Sequence, residues 1–430
     1  MKHTARLLGI VAAGAIAVGV LAGCSGSGDG DGDGAAPGPV TLDLAWWGND
    51  SRAAMYEQAI DLFEAEHPHI AVNGTFGDFS SYWDARATQA AARNLPDVMQ
   101  FDQANLVEYG KNRALLDLSP YLGEQIDVSG IEDVVIEAAT IDGTQYGMPV
   151  GTGTLGLFVN PTVVAQAGVE PLDPDYTWDD LNDWVSEITA ANVTTADGKS
   201  VFGGYDQGIT MWLFIQWLLQ QGQQPFESDG SFAFTKDDIT EFMDATTPLR
   251  EAGSYFPPSR ATEIAPADGF AMGETASSLT WDSFFARYTD IADLETLPVP
   301  TGPDGEKAIF YTVLHLGGAA NTEHPEETAL LLDFLATDPG VAEIFGTSRG
   351  IPTDAAQLES LDFPAGSLEA KSIAYRESLE EYETVSTPAL PATFATLEAT
   401  WVRLNEDLMF GMITVDQFVD QWWSEAEAFS

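Results

Sequence analysis

From residue 41 onward, short apolar runs alternate with longer segments whose apolar positions recur at helical spacing. Residues 41–47 (TLDLAWW) predict a strand, and Gly48-Asn49-Asp50-Ser51 a loop at its carboxyl end. The helix that follows places Ala53, Tyr56, Ile60 and Phe63 on one face and ends at His67-Pro68. Residues 70–76 predict a second strand, 82–93 a helix and 96–101 a third strand with Asp102 at its end. Strands alternating with helices imply a mostly parallel sheet covered by helices. Ligands of such sheets collect at the carboxyl ends of the strands, which puts Trp47, Asn49, Asp50 and Asp102 on the functional edge.

The pattern changes between residues 142 and 161. An extended piece ending in Pro149 runs through Gly151, Gly153 and Gly156 into a second strand at 155–159. Asn160 as N-cap, Pro161 at the first helical position and Gly168 as the stop mark a helix. Glycines between two strands suit a hinge, because they absorb backbone rotation cheaply. Farther on, Thr177-Trp178-Asp179-Asp180 resembles a capping box, leading a helix through Leu181, Trp184, Val185 and Ile188. Residues 209–221 (ITMWLFIQWLLQQ) are apolar nearly all round and predict a buried helix, too short to span a bilayer. Residues 271–281 and 296–300 read as further strands or loops. From Phe310 a strand, Gly317-Gly318 and a helix at 325–336 repeat the earlier pattern, 340–345 continue helically, Gly350-Ile351-Pro352 breaks them, and 397–429 are mainly helical.

Composition enlarges this to two lobes, since 430 residues exceed one ordinary core. With 17 Lys+Arg against 67 Asp+Glu, a net charge of −50, no nucleic-acid partner and no charge-driven membrane surface is expected. Lys2 and Arg6, an apolar run at 7–23 and Leu21-Ala22-Gly23-Cys24 form a targeting segment. That tetrapeptide resembles the lipobox of bacterial lipoproteins, which implies cleavage of residues 1–23 and lipid attachment to Cys24. As the one cysteine in the chain, it has no disulfide partner. Residues 24–39 read as a flexible tether. Asp29-Gly30-Asp31-Gly32-Asp33-Gly34 opens like a calcium loop, but its closing acidic position falls on Val40.

Two enzyme-like spacings fail on context. Gly151-x-Gly153-x-x-Gly156 leads into a strand where a dinucleotide site needs a helix N-terminus. Gly346-Thr347-Ser348-Arg349-Gly350 follows a helix where a nucleophile elbow needs a strand. His67 and His69 flank a proline at a helix end, so no metal is expected. The 11 tryptophans say more, because Trp47, Trp83, Trp212 and Trp281 fall at loop or strand ends, whereas Trp46 and Trp184 read as core. Flat rings stack on the apolar faces of sugars while neighbouring Asp, Asn and Arg bond the hydroxyls, a division of labour suited to a neutral polyol. The lack of a basic or histidine cluster in the sequence speaks against anions and metals.

A resemblance gathers these pieces. The lipobox, Trp46-Trp47-Gly48, Pro96-Asp97-Val98, Tyr146-Gly147-Met148-Pro149 with Asn160, Ala167-Gly168 before Thr177-Trp178, Phe270-Ala271-Met272 before Trp281-Asp282, Gly317-Gly318-Ala319 and Gly350-Ile351-Pro352 occur in one order. In that order the chain is similar to the extracellular solute-binding proteins of carbohydrate ABC transporters, the family that includes maltose-binding protein. The resemblance implies an α/β, two-lobed periplasmic-binding-protein-like fold, each lobe a mostly parallel sheet flanked by helices, with crossings near 151–153, 310–313 and 350. One lobe would hold residues 40–151 and 313–350, the other 152–312 and 351–430. It also implies a ligand site of Trp47, Asn49, Asp50, Arg52, Phe79, Tyr82, Asp102, Trp281, Asp282, Gly318 and Arg349. The implied protein is a monomer without cofactor or catalysis, lipid-anchored to the outer face of the cell membrane, that hands a mono- or oligosaccharide to the transmembrane subunits of an ABC permease. A surface glycoside hydrolase or lyase, and a binding protein for a non-sugar solute such as a peptide, stay open.

Overall fold

A computed structural model describes residues 38–227, 230–289, 291, 293–382, 384–385 and 390–429. The targeting segment, Cys24 and the Asp-Gly run lie outside these residues. Among the described residues no helix is long and apolar enough to cross a membrane.

The first lobe is built on five strands in the order Ile70–Gly77, Val40–Trp47, Val98–Phe101, Thr312–Gly318, Gly147–Gly153. The first three are parallel, with Val40 opposite Ile70, Trp47 opposite Gly77 and Leu44 opposite Val98. That register ends Trp47 and Phe101 at one edge, with Asp102 just beyond. Alternation along Val40–Trp47 sends Leu42, Leu44 and Trp46 to one face, against Tyr56, Ile60 and Phe63 of helix Asp50–Glu66, while Ala45 joins Met99, Phe101 and Leu106 on the other. Thr312–Gly318 runs antiparallel to both its neighbours.

The second lobe departs from expectation. Its sheet has Leu155–Val159 between Ser277–Trp281 and Glu295–Leu297, antiparallel to both, and among the described residues parallel pairing in this lobe is confined to the isolated bridges of Phe202 with Thr275, Gly204 with Tyr255, Thr177 with Thr301 and Ile309 with Thr384. The cause is directional. Leu155–Val159 leaves the crossing outward, and Ser277–Trp281 returns to it, with Leu155 opposite Trp281. Around this sheet the local signals hold. Thr177 and Asp180 form the capping box of Trp178–Ala190, Asn160 caps Pro161–Ala167, and Gly168 stops it with φ 69°. Helix Met211–Gln220 buries Leu213, Phe214, Ile215 and Leu218, and its two buried amides, Gln216 and Gln220, donate to the carbonyls of Lys307 and Pro300.

The crossings meet at one place. Thr152 and Ile351 exchange backbone hydrogen bonds of 2.8 and 3.0 Å, and Thr154 Oγ1 donates to Phe310 O at 2.7 Å. Here Gly151 serves a close approach: a Cβ on it would stand 2.1 Å from the Arg349 carbonyl oxygen. Arg376 binds the junction, donating to Thr152 Oγ1 (2.9 Å), Thr152 O (3.0 Å) and Asp282 Oδ2 (2.7 Å) while its guanidinium covers the Tyr311 ring at 4.4 Å. Beyond this crossing the chain stays on the first lobe. Ala355 N donates to Gly130 O (2.9 Å), and Gln357 of helix Ala355–Ser360 donates to Asp338 O (3.0 Å). Helix Leu368–Ser378 then joins the second lobe beside residues 282–287.

Candidate functional site

On the first lobe, Trp47 stands at the sheet edge with Phe79, Tyr82 and Trp83 around it, ring centres 5.4, 5.5 and 5.8 Å away. Phe79 is 52% exposed. Tyr82 is a strut rather than a contact surface: it is 3% exposed, and its hydroxyl donates to Gln100 O at 2.8 Å. Asn49 caps the first helix, its Oδ1 accepting from Arg52 N–H at 3.0 Å, and Asp50 is exposed in the first turn. The Arg52 side chain donates through Nη2 to Ser348 O. Asp102 caps helix Gln103–Lys111, accepting from the N–H (2.8 Å) and Nδ2 (2.7 Å) of Asn105. Burial pushes its carboxyl up, and the Asn105 bonds oppose the shift. Behind it, His315 Nε2 meets Gln103 Oε1 at 3.0 Å, and burial holds the imidazole down at about 3, so it is neutral.

The second lobe presents its own aromatic wall. Trp281 meets Trp212 edge-on at 5.5 Å, and Trp212 stacks on Phe310 at 5.9 Å. Trp212 opens helix Met211–Gln220, whose N-cap Thr210 donates to Glu398 Oε1 at 2.5 Å while Met211 N–H donates to Glu398 Oε2 at 2.9 Å. Helix Phe394–Met409, which carries Glu398, packs against Gln103–Lys111 of the first lobe, and Ala104 joins the apolar core of the second. Glu398 thus sits on a helix packed against the one that Asp102 caps. Burial first, and the Asp102 charge as a lesser cause, push Glu398 up to about 7.

A raised carboxyl favours the protonated fold. The stability tied to Glu398 is complete below about pH 4.5 and is lost as the pH rises through about 7. Glu398→Gln removes that titration. The melting temperature of the wild type should fall relative to the variant's between those values; a constant difference would assign the titration elsewhere.

The structure thus places Trp47, Asn49, Asp50, Arg52, Phe79 and Asp102 along the strand-end edge of the first lobe, and Trp281 beside Trp212 on the second. It does not bring Tyr82, Asp282, Gly318 or Arg349 to a ligand-facing surface. Asp282 is 1% exposed and held by Arg376. Gly318 pairs with Val98 at the opposite end of the sheet, where a Cβ would meet Thr328 and Leu116 at 3.0 and 3.2 Å. Arg349 is 4% exposed over Phe345. Glu398, Thr210 and Arg376 were not foreseen. The one local signal was Thr210 ahead of an apolar run, since Glu398 lies 188 residues from it in sequence.

No enzyme constellation forms around the two glycine-bounded spacings. Gly151, Gly153 and Gly156 lie in strands, and the next helix starts at Pro161. Ser348 follows helix Pro339–Phe345, and its Oγ meets Met55 Sδ at 3.5 Å. Among the described residues no group of His, Cys, Asp and Glu could hold a metal ion.

Similar proteins agree with this architecture. An ABC substrate-binding protein from Listeria monocytogenes in complex with cycloalternan superposes with TM-score 0.77 at 20% identity, covering 90% of this chain and 98% of that one. A periplasmic oligogalacturonide binding protein from Yersinia enterocolitica in complex with saturated digalacturonic acid gives 0.76 at 20% identity, covering 91% and 98%. In sequence, the chain is 26% identical over 197 residues to a lactose-binding protein of Rhizobium radiobacter, spanning 44% of each, so less than half of that relative is matched. It is 23% identical over 320 residues to the maltodextrin-binding protein MdxE of Bacillus subtilis, spanning 72% of this chain and 71% of that one. Residues 47–342 match the family described as bacterial extracellular solute-binding protein, and that is the family to which this two-lobed chain belongs.

Proposed function

We propose that the protein is the substrate-capturing component of an ABC importer, which holds a mono- or oligosaccharide between its lobes and delivers it unaltered to a membrane permease. The observation that carries this reading is the pair of aromatic edges, one on each lobe, Trp47 with Phe79 and Trp281 with Trp212, the first flanked by hydrogen-bonding Asn49, Asp50 and Asp102. The lactose and maltodextrin relatives support a sugar as ligand. Residues 40–151 with 313–360 move as one lobe, and 152–312 with 361–430 as the other. Sugar makes more contacts in the closed form than in the open one, and that difference shifts the population. A lipid on Cys24 keeps the monomer at the outer face of the cell membrane.

Tryptophan-fluorescence titration against a panel of mono- and oligosaccharides tests the reading: at least one should bind and be recovered intact. Trp281→Ala should weaken that binding at least about tenfold, the loss of one well-placed ring. Unchanged affinity would remove Trp281 from the site. A glycoside hydrolase is the second reading, favoured by Glu398, raised to about 7, on a helix packed against the one that Asp102 caps. New reducing ends on incubation with oligosaccharides would establish it. Against it, both carboxylates are already occupied, by Asn105 and by Thr210 with Met211.

A further inference from the structure

The outer strand of the first lobe, Ile70–Gly77, pairs only with Val40–Trp47, so among the described residues its other edge is open. Along a strand the backbone groups of successive residues point to alternate sides. Gly77 O accepts from Gly48 N–H at 2.9 Å, and His69 O from Val40 N–H at 2.8 Å, which turns the odd-numbered residues toward Val40–Trp47 and the even-numbered ones outward. The first two outward donors are taken: Ile70 N–H by His67 O and Val72 N–H by Glu64 Oε1, each at 2.8 Å. Those of Gly74 and Phe76 have no partner among the described residues.

Beside this uncapped stretch a depression of about 220 Å³ lies between the strand and helix Asp50–Glu66. Val72, Gly74 and Phe76 line it from the strand, and Glu57, Ile60 and Asp61 from the helix, over the ring of Trp46. Gly74 adds no side chain; a Cβ there would meet Trp46 Cη2 at 2.7 Å, so the ring edge lies directly against the strand. Phe76 is 48% exposed and parallel to Trp46, ring centres 6.0 Å apart and planes 9° apart. Glu57 and Asp61 stand one helical turn apart, both exposed, and neither enters an ion pair among the described residues.

That volume is below the roughly 300–1,000 Å³ of sites that enclose a whole small molecule, and it suits one side chain. An aromatic floor between two carboxylates selects a planar cation, which stacks on a ring while its forked N–H groups meet carboxylate oxygens. Opposite residues on adjacent strands send their side chains to the same face, so a residue added opposite Gly74 lowers its side chain into the space the glycine leaves. We propose that the open edge at Gly74 and Phe76 docks an extended segment of another protein, which joins the sheet as a further strand and seats one arginine over Trp46 and Phe76 between Glu57 and Asp61. A second copy of this chain is the poorer occupant, since it would bring the same acids together and carries the same net charge of −50. None of the groove's residues belongs to the aromatic edges of the proposed sugar site, so the docking stands apart from what the lobes hold.

The probe is the acetylated, amidated peptide Thr-Val-Arg-Val-Thr, titrated calorimetrically into the intact protein at about 150 mM salt, where long-range attraction is screened. It should bind at least about tenfold more tightly than the same peptide with citrulline for arginine, which keeps the shape and loses the charge. Acetyl-arginine amide, which has the side chain and no strand, should bind at least about tenfold more weakly than the peptide. Glu57→Gln with Asp61→Asn should abolish the preference for arginine over citrulline. Because it removes two of 67 acids, an unchanged preference would mark attraction to an acidic surface and overturn the proposal. Should that variant misfold, Phe76→Ala, at another exposed position, should weaken the peptide several-fold. Equal binding of peptide and amide would make the groove a seat for a small cation, and a dimer in sedimentation that the peptide does not disperse would give the edge to a second copy. Either result, or a peptide that fails to bind, overturns the proposal.

Discussion

Arg376→Ala should destabilise the protein by roughly 3–5 kcal/mol, because it strands the Asp282 carboxylate in the junction between the lobes. Asp282 is 1% exposed, its Oδ2 accepts from Arg376 at 2.7 Å, and its Oδ1 has no partner. Burial already raises the Asp282 pKa, with Arg376 as the chief opposing influence. Without the guanidinium the pKa rises farther, so the penalty should be greatest at neutral pH and shrink as acid protonates the carboxyl. Urea unfolding at about pH 7 and about pH 5 measures both effects. Arg376→Met combined with Asp282→Asn, which leaves no buried charge, should recover much of the loss. If Arg376→Ala proves neutral, or equally harmful at both pH values, the ion pair does not hold the junction.

Gly151→Ala is the second large effect, at roughly 3 kcal/mol. Its Cβ would lie 2.1 Å from Arg349 O and 2.9 Å from Arg349 C. Both are backbone atoms, and they yield only if the crossings separate and the two hydrogen bonds between Thr152 and Ile351 are lost. Gly153→Ala is the control, two residues along the same strand. There a Cβ meets Asp282 Oδ1 at 3.4 Å and Thr312 Oγ1 at 3.8 Å, ordinary contacts, so the change should cost less than about 1 kcal/mol. Equal effects at the two sites would return both glycines to the role of flexible joints.

That contrast marks the limit of reading this chain from its sequence. A glycine that lets the backbone rotate and a glycine that lets two backbones touch are the same letter. Faces and caps were legible because their causes are local: Leu42, Leu44 and Trp46 alternate, and Thr177 meets Asp180 three residues on. Strand direction in the second lobe was not, since an apolar run such as 155–159 declares burial on both faces but not which neighbour it takes. The strand-end positions of Trp47, Asp102 and Trp281 were legible because each closes an apolar run. Tyr82 and Arg349 looked similar in the sequence, yet buried acceptors, Gln100 O and Leu335 O, draw them inward. Long-range pairs such as Arg376 with Asp282, 94 residues apart, leave no local trace.

The strand Thr312–Gly318, inserted between Val98–Phe101 and Gly147–Gly153, has a consequence for how the protein is made. Gln103 meets His315 across 212 residues of chain, and the 152–312 portion of the other lobe is synthesised in between. Until that strand arrives, Phe101 and Val150 border an unfilled slot, and the entropy of closing so large a loop must be met before the sheet yields any return. A nascent chain halted before residue 312 therefore exposes two unsatisfied strand edges, and maturation of the amino-terminal half waits on the ribosome reaching the carboxyl-terminal third.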